Sequence, residues 1–152
     1  MHQTRKGKQW FFGMKVHIGV DSRTGLVHSA VVTAANVHDK HPLPDLLHGN
    51  EQRVYGDSAY ASQKALIHGK APQARDFTNQ RVRKGGEIDE VKRSKNRTKS
   101  KVRARVEHVF AVVKRLWGFS KVRYRGLAKN ATRSFVALSL ANIYLARQRL
   151  MA

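Results

Sequence analysis

Cysteine is absent from the 152 residues, which removes a disulfide framework and any thiolate zinc site, zinc fingers included, and leaves the redox compartment unspecified. Acidic residues are scarce: 10 Asp+Glu face 30 Lys+Arg, for a formal net charge of +20. Long hydrophobic runs are missing as well. The longest stretch without a charged residue or histidine, Ser134 to Ala146, has 13 residues, short of the roughly 20 that span a bilayer, and it reads as a buried core helix. The basic start, Met1 to Lys8, leads into strand-like residues instead of an apolar run with a cleavage site, so no signal peptide is expected and the cytoplasm is the default compartment. No internal repeat organises the chain.

What is present is enough to fold. Hydrophobic residues make up 41%, near the globular norm, so a core can form despite the charge. A surface of one sign repels itself and is relieved by a polyanion, which makes nucleic acid the first partner to consider and an acidic membrane the weaker competitor. The charge is uneven, +4 over residues 1–76 and +16 over 77–152. Lys92 to Arg105 alone places eight basic residues in fourteen positions with no acid.

Met14, Val16, Ile18 and Val20 alternate with Lys15, His17 and Gly19, the period of a strand with one buried face. Asp21 to Gly25 is turn chemistry and Leu26 to Ala34 is strand-like, so the two runs form a hairpin. Pro42 suits the first turn of a short helix over His41 to Leu47, with Asp39 or His41 at its cap. Arg53-Val54-Tyr55 is a short strand that ends at Gly56-Asp57, and a helix is expected from Ser62 to His68. Residues 69–101 read as a basic, partly mobile connection with one strand around Phe77. From Val102, the apolar positions Val106, Val109, Phe110, Val113 and Trp117 follow one helix face, and Gly118 ends it. A second helix is expected from Asn130 as N-cap, apolar nearly all round and hence buried.

Two acids stand where chemistry could use them. Glu107 shares a helix stripe with Arg103 and Lys114. That arrangement is either a solvated salt-bridge ladder or a carboxylate that holds Mg²⁺ among bases that hold phosphates. Asp57, at the carboxyl end of a strand, is either a turn or cap residue or a ligand at the sheet edge where open α/β folds bind substrates. His38, Asp39 and His41 could ligate a metal, but a capping role for Asp39 is preferred. His17 and His28 are expected to face each other as a polar pair on the outside of the hairpin. Trp10, Phe11 and Phe12 could stack on unpaired bases, though filling an edge of the core is the commoner use.

At Gly13 to Asp21, Thr33 to Asp39, Tyr55 to Tyr60, Arg103 to His108 and Lys121 to Leu127, the chain resembles bacterial insertion-sequence transposases of the DDE type. The resemblance covers essentially the whole chain. It implies an RNase-H-like α/β catalytic domain, a mixed sheet flanked by helices that binds two divalent ions, Mg²⁺ or Mn²⁺. It assigns Asp57 to the second metal-binding Asp and Glu107 to the Glu that completes the triad. Arg103, Glu107 and Lys114 fit the family's helix pattern, with Ser100 where a Tyr would stand. Lys114, Arg103 and the basic run with Arg97, Lys99, Lys101 and Arg105 would grip DNA phosphates.

The family's first Asp lies on a strand before the hairpin, in an Asp-x-Thr context that this sequence does not offer. Asp21 is no substitute, because its strand runs antiparallel to that missing one and a seven-residue strand separates the two edges by roughly 20 Å. It reads as a turn former. The expectation is therefore a partial catalytic domain over 1–152 that lacks the first strand, acts on insertion-sequence ends and target DNA, and is inactive alone. It carries no membrane association, and the complete enzyme would be a homo-oligomer. The rival is a non-catalytic basic nucleic-acid-binding protein. A stand-alone nuclease would need a third acid near Asp57.

Overall fold

The computed structural model describes residues 1–84 and 87–151. They form a mixed α/β structure in two compact units, Met1–His38 with Val106–Ala152, and Asp39–Arg105. Gly85 and Gly86, within the expected connection, lie outside the described residues.

The first unit is built on an antiparallel sheet ordered β1-β2-β3, with β1 at His2–Lys6, β2 at Gln9–Val20 and β3 at Val27–Ala34. The alternation from Met14 to Val20 does what it predicts and pairs with β3 from Met14↔Ala34 to Val20↔Val27, with an irregularity at Gly19/Val20. That register corrects the histidine pair. His17 lies opposite Val31, is buried, and bonds the Thr33 hydroxyl at 2.9 Å, so it does not stand on an outer face. Asp21 closes the turn as expected. Its carboxylate accepts from the N–H groups of Arg23 and Thr24 at 3.0 and 3.1 Å and from the Thr24 hydroxyl at 2.7 Å. These bonds, the Arg23 N–H first, hold its pKa below the ordinary carboxylate value.

Two helices cover this sheet's unit. The long α3, Glu90–Trp117, contributes Val109, Val112 and Val113, which join Ile18 and the α4 residues Ala137, Leu138 and Ala141 in one core. Gly118, at φ +57°, ends α3 as predicted, since glycine enters that left-handed conformation without cost. Helix α4, Leu127–Leu150, starts three residues before the expected cap. Asn130 is not its N-cap but a buried side chain in its first turn: Oδ1 accepts from Tyr124 N–H at 3.2 Å, and Nδ2 donates to the carbonyls of Tyr124 and Gly126 at 2.6 Å each. Nor is α4 buried all round. Asn130, Ser134, Ala137, Leu138 and Ala141 face inward, while Val136, Ile143 and Leu150 are exposed, because only one side of the helix has a layer to pack on. Asn142 fastens that side to β3, with Oδ1 accepting from Val27 N–H and Nδ2 donating to Val27 C=O, both at 2.8 Å.

The second unit holds a parallel pair, β4 at Arg53–Val54 with β5 at Arg75–Asp76, and the antiparallel pair β6, Arg83–Lys84, with β7, Glu87–Ile88. The expected single mixed sheet is thus not formed among the described residues; parallel and antiparallel pairings lie in separate sheets. Helices α1, Leu43–Leu46, and α2, Lys64–Lys70, pack together, and Leu43, Val54, Ile67, Ala71 and Ala74 make the core. Pro42, not Asp39 or His41, stands at the α1 cap position.

The largest correction concerns 69–101. Among the described residues it holds β5, β6 and β7 and the start of a long helix. Helix α3 begins at Glu90, 12 residues before Val102, because Asp89 caps it: its Oδ1 accepts from Lys92 N–H at 3.0 Å and its Oδ2 meets the Lys92 ammonium at 2.9 Å. No described helix is long and apolar enough to cross a membrane.

Candidate active site

Asp57 is placed by the parallel pair. Beyond β4 and β5 the ladder continues, with Phe77 N–H donating to Val54 C=O at 2.8 Å and Asn79 N–H to Gly56 C=O at 2.9 Å. Asp57 and Asn79 therefore leave together from the carboxyl ends of two parallel strands, the edge where such sheets bind ligands. Gly56 permits the approach, because a Cβ there would meet the Tyr60 ring at 3.1 Å and Thr78 Cγ2 at 3.2 Å.

Asp57 then caps a short 3₁₀ turn, Ser58–Tyr60, through Oδ1, which accepts from Ala59 N–H at 2.9 Å. The capping reading of Asp57 is thus realised, and it leaves Oδ2 without a hydrogen bond among the described residues. Tyr60, at the end of this turn, is pushed up to about 12 by burial, with the negative charges of Asp39 and Asp57 adding to it. Its phenol remains protonated at neutral pH.

The amino-terminal half of α3 clamps the segment that follows β5 and carries Asn79. Asn96, Lys99, Ser100 and Arg103 recur at the spacing of one helix face. Asn96 accepts from Gln80 N–H at 3.1 Å and donates to Gln80 C=O at 2.7 Å; Lys99 donates to Thr78 C=O at 2.9 Å; Ser100 accepts from Asn79 Nδ2 at 3.0 Å. Asn79 Oδ1 is left buried with no donor among the described residues. Asp57, Ser58, Asn79, Arg81, Arg83 and Arg103 are among the residues that line a cleft of about 400 Å³.

The predicted site residues therefore divide. The structure brings Arg103 to the cleft of Asp57. Lys99 is half-buried and donates to a backbone carbonyl, while Arg97, Lys101 and Arg105 are exposed along α3. Glu107 and Lys114 are exposed on the part of the same continuous helix that belongs to the first unit. Arg81, Arg83, Asn79 and Asn96 were not anticipated. For Asn96 the signal was available: Asp89-Glu90 is a helix start, and Asn96, Lys99, Ser100 and Arg103 carry helical spacing upstream of the first apolar position.

Among the described residues no three His, Asp or Glu cluster to hold a metal by themselves. The cleft does fit a hard cation in part. A carboxylate oxygen outside the cap and an orphaned carboxamide oxygen are the donor type that Mg²⁺ takes, with water and phosphate oxygens filling its remaining positions.

A strand-end aspartate and three arginines lining one cleft, on a chain of charge +20, are chemistry suited to phosphate oxygens. The model of the transposase DDE domain matches residues 1–143, and the chain belongs to that family. No solved structure matches it.

Proposed function

We propose that the chain is the RNase-H-like catalytic part of an insertion-sequence transposase, which cleaves element ends and joins them to target DNA in a metal-dependent phosphoryl transfer. The observation that carries this reading is the cleft at the ends of β4 and β5, where Asp57 stands with Arg81, Arg83 and Arg103, in a chain of the transposase DDE domain family.

Asp57 and Glu107 are the carboxylates that would hold Mg²⁺ or Mn²⁺, and Asn79, whose carboxamide Oδ1 has no donor among the described residues, lines the same cleft as Asp57. When bound, the ion supplies Lewis-acid charge for in-line displacement at phosphorus. Arg103 and the two cleft arginines would orient the phosphodiester, since a planar guanidinium matches two phosphate oxygens at once. Arg97, Lys101, Arg105 and Lys114 would grip the flanking backbone without reading sequence. Lys99 would pin the Asn79 segment and bring its charge to the same helix face. The family's first Asp, expected on a strand before the hairpin, has no acidic counterpart among residues 1–20, so the chain by itself is expected to bind DNA and not to cut it. Its working site is the cytoplasm, and strand transfer would be the task of a homo-oligomer.

The test is Mn²⁺ titration by calorimetry, alongside duplex binding. Asp57→Asn and Glu107→Gln should each abolish Mn²⁺ uptake while duplex affinity stays within about threefold, because the phosphate contacts come from other residues. Unchanged Mn²⁺ binding in both variants would overturn the metal assignment and favour a non-catalytic basic DNA-binding protein. Mg²⁺-dependent cleavage by the isolated chain, lost in Asp21→Ala, would overturn the reading of Asp21 as a turn former and not the family's first Asp.

A further inference from the structure

The sheet of the first unit has an arm. Strand β3 pairs with β2 from Met14 onward, whereas β1 pairs with Gln9 to Gly13. The His2–Lys6 and Gln9–Gly13 segments therefore run on past β3 as a two-stranded ribbon, about 16 Å long at roughly 3.3 Å per residue, turned at Gly7 with φ +63°.

This arm carries the three consecutive aromatics, and they do not fill the edge of the core. Trp10 is 67% exposed, Phe11 48% and Phe12 65%. Side chains alternate across a strand, so Trp10 and Phe12 share one face with their partners Arg5 and Gln3, and Phe11 lies on the other. The Arg5 guanidinium sits over the Trp10 ring, 5.9 Å from its centroid. Lys8 is at the turn, and residues 1–20 contain no acid. Large aromatics are among the costliest side chains to leave in water, and an isolated two-stranded hairpin is marginal. A partner that offers flat apolar faces and negative charge together would relieve both.

Unpaired nucleobases have that combination. Residues two apart on a strand are separated by about 6.6 Å at the backbone, twice the roughly 3.4 Å spacing of stacked bases, which leaves room for one base between the Trp10 and Phe12 rings.

We propose that the β1–β2 arm is a stacking site for unpaired bases of DNA, with Trp10 and Phe12 as the stacking surfaces and Arg5 and Lys8 as phosphate contacts. It rests on the transposase reading only in that DNA is the substrate. The site shares no residue with the lining of the Asp57 cleft and serves strands opened at an end or junction.

The test uses the full chain with an oligo-dT strand of about 12 nucleotides and a closed GC-rich hairpin duplex, followed by tryptophan emission. Oligo-dT should quench the emission at saturation. Trp10→Ala and Phe12→Ala should each weaken oligo-dT binding about 5- to 100-fold while changing duplex affinity less than about twofold. Trp10→Phe should keep the oligo-dT affinity and abolish the quench, which assigns the signal to Trp10 and not to Trp117.

Wild-type oligo-dT affinity in the Trp10→Ala, Phe12→Ala double variant would overturn the proposal. So would an arm that responds to anionic lipid vesicles and not to single strands. If the wild-type chain binds duplex but the arm variants are silent, the stacking site alone fails. If it binds neither nucleic acid, the DNA reading fails with it.

Discussion

Replacing Asn130 tests whether one buried carboxamide holds the entry to α4. Its side chain is 1% exposed and makes three backbone hydrogen bonds, to Tyr124 N–H, Tyr124 C=O and Gly126 C=O. Asn130→Ala strands all three groups in a partly buried turn. At about 1 kcal/mol for each bond of this type removed, the cost should be about 3 kcal/mol. For a chain of this size that lowers Tm by roughly 6–12 °C.

Asn130→Asp should cost more than alanine, because Oδ1 can still accept from Tyr124 while the other oxygen turns its charge on two carbonyls that need donors. Ser134→Ala is the contrast. Its hydroxyl, also 1% exposed, donates at 2.7 Å to the Asn130 carbonyl within the helix, and such back-bonding is nearly neutral, so the loss should stay under about 1 kcal/mol. Urea unfolding followed by far-UV circular dichroism measures all three. A loss under about 1 kcal/mol for Asn130→Ala, or an aspartate tolerated as well as alanine, would refute the claim that these bonds organise the turn.

Three other outcomes follow from the same geometry. Gly56→Ala should destabilise the second unit by about 1–2 kcal/mol and open the packing against Thr78 and Tyr60, seen as a lower urea midpoint. Of the four tyrosines, one should ionise only near pH 12 in an ultraviolet difference titration and vanish in Tyr60→Phe. Because the folded-state value is raised, its stabilisation is whole below pH about 10 and fades as pH rises towards 12. Finally, neutralising Arg97, Lys101 and Arg105 together should flatten the slope of log affinity against log salt for duplex DNA by up to about 2.7, at roughly 0.9 for each phosphate no longer neutralised; an unchanged slope would remove α3 from the interface.

Much of the architecture is legible in the residues alone. Met14 to Val20 declares a strand because its alternation survives in any context that buries one face. Asp21 declares a turn because its side chain satisfies its own neighbours. Gly118 ends a helix for a reason equally local, its freedom to take the left-handed conformation. Where the reading fails, distant partners set the outcome. Asn130 looks like a cap, but its amide meets Tyr124 and Gly126 and moves inside the helix. The segment before Val102 looks like a linker because its apolar pattern is absent; α3 starts there on a cap and on polar contacts to Thr78, Asn79 and Gln80.

The amino-acid sequence by itself determined the charge, the aromatic-rich N-terminal segment, the two carboxylates and the family motifs around them, since each is a matter of residue type and spacing along one element. The tertiary structure alone decided that Asp57 shares a cleft with Arg81, Arg83 and Arg103, that Asn79 keeps an oxygen without a donor among the described residues, and that Trp10 and Phe12 stand in solvent. Those facts depend on which segments pair, and pairing is governed by backbone hydrogen bonds and burial between residues far apart in the chain.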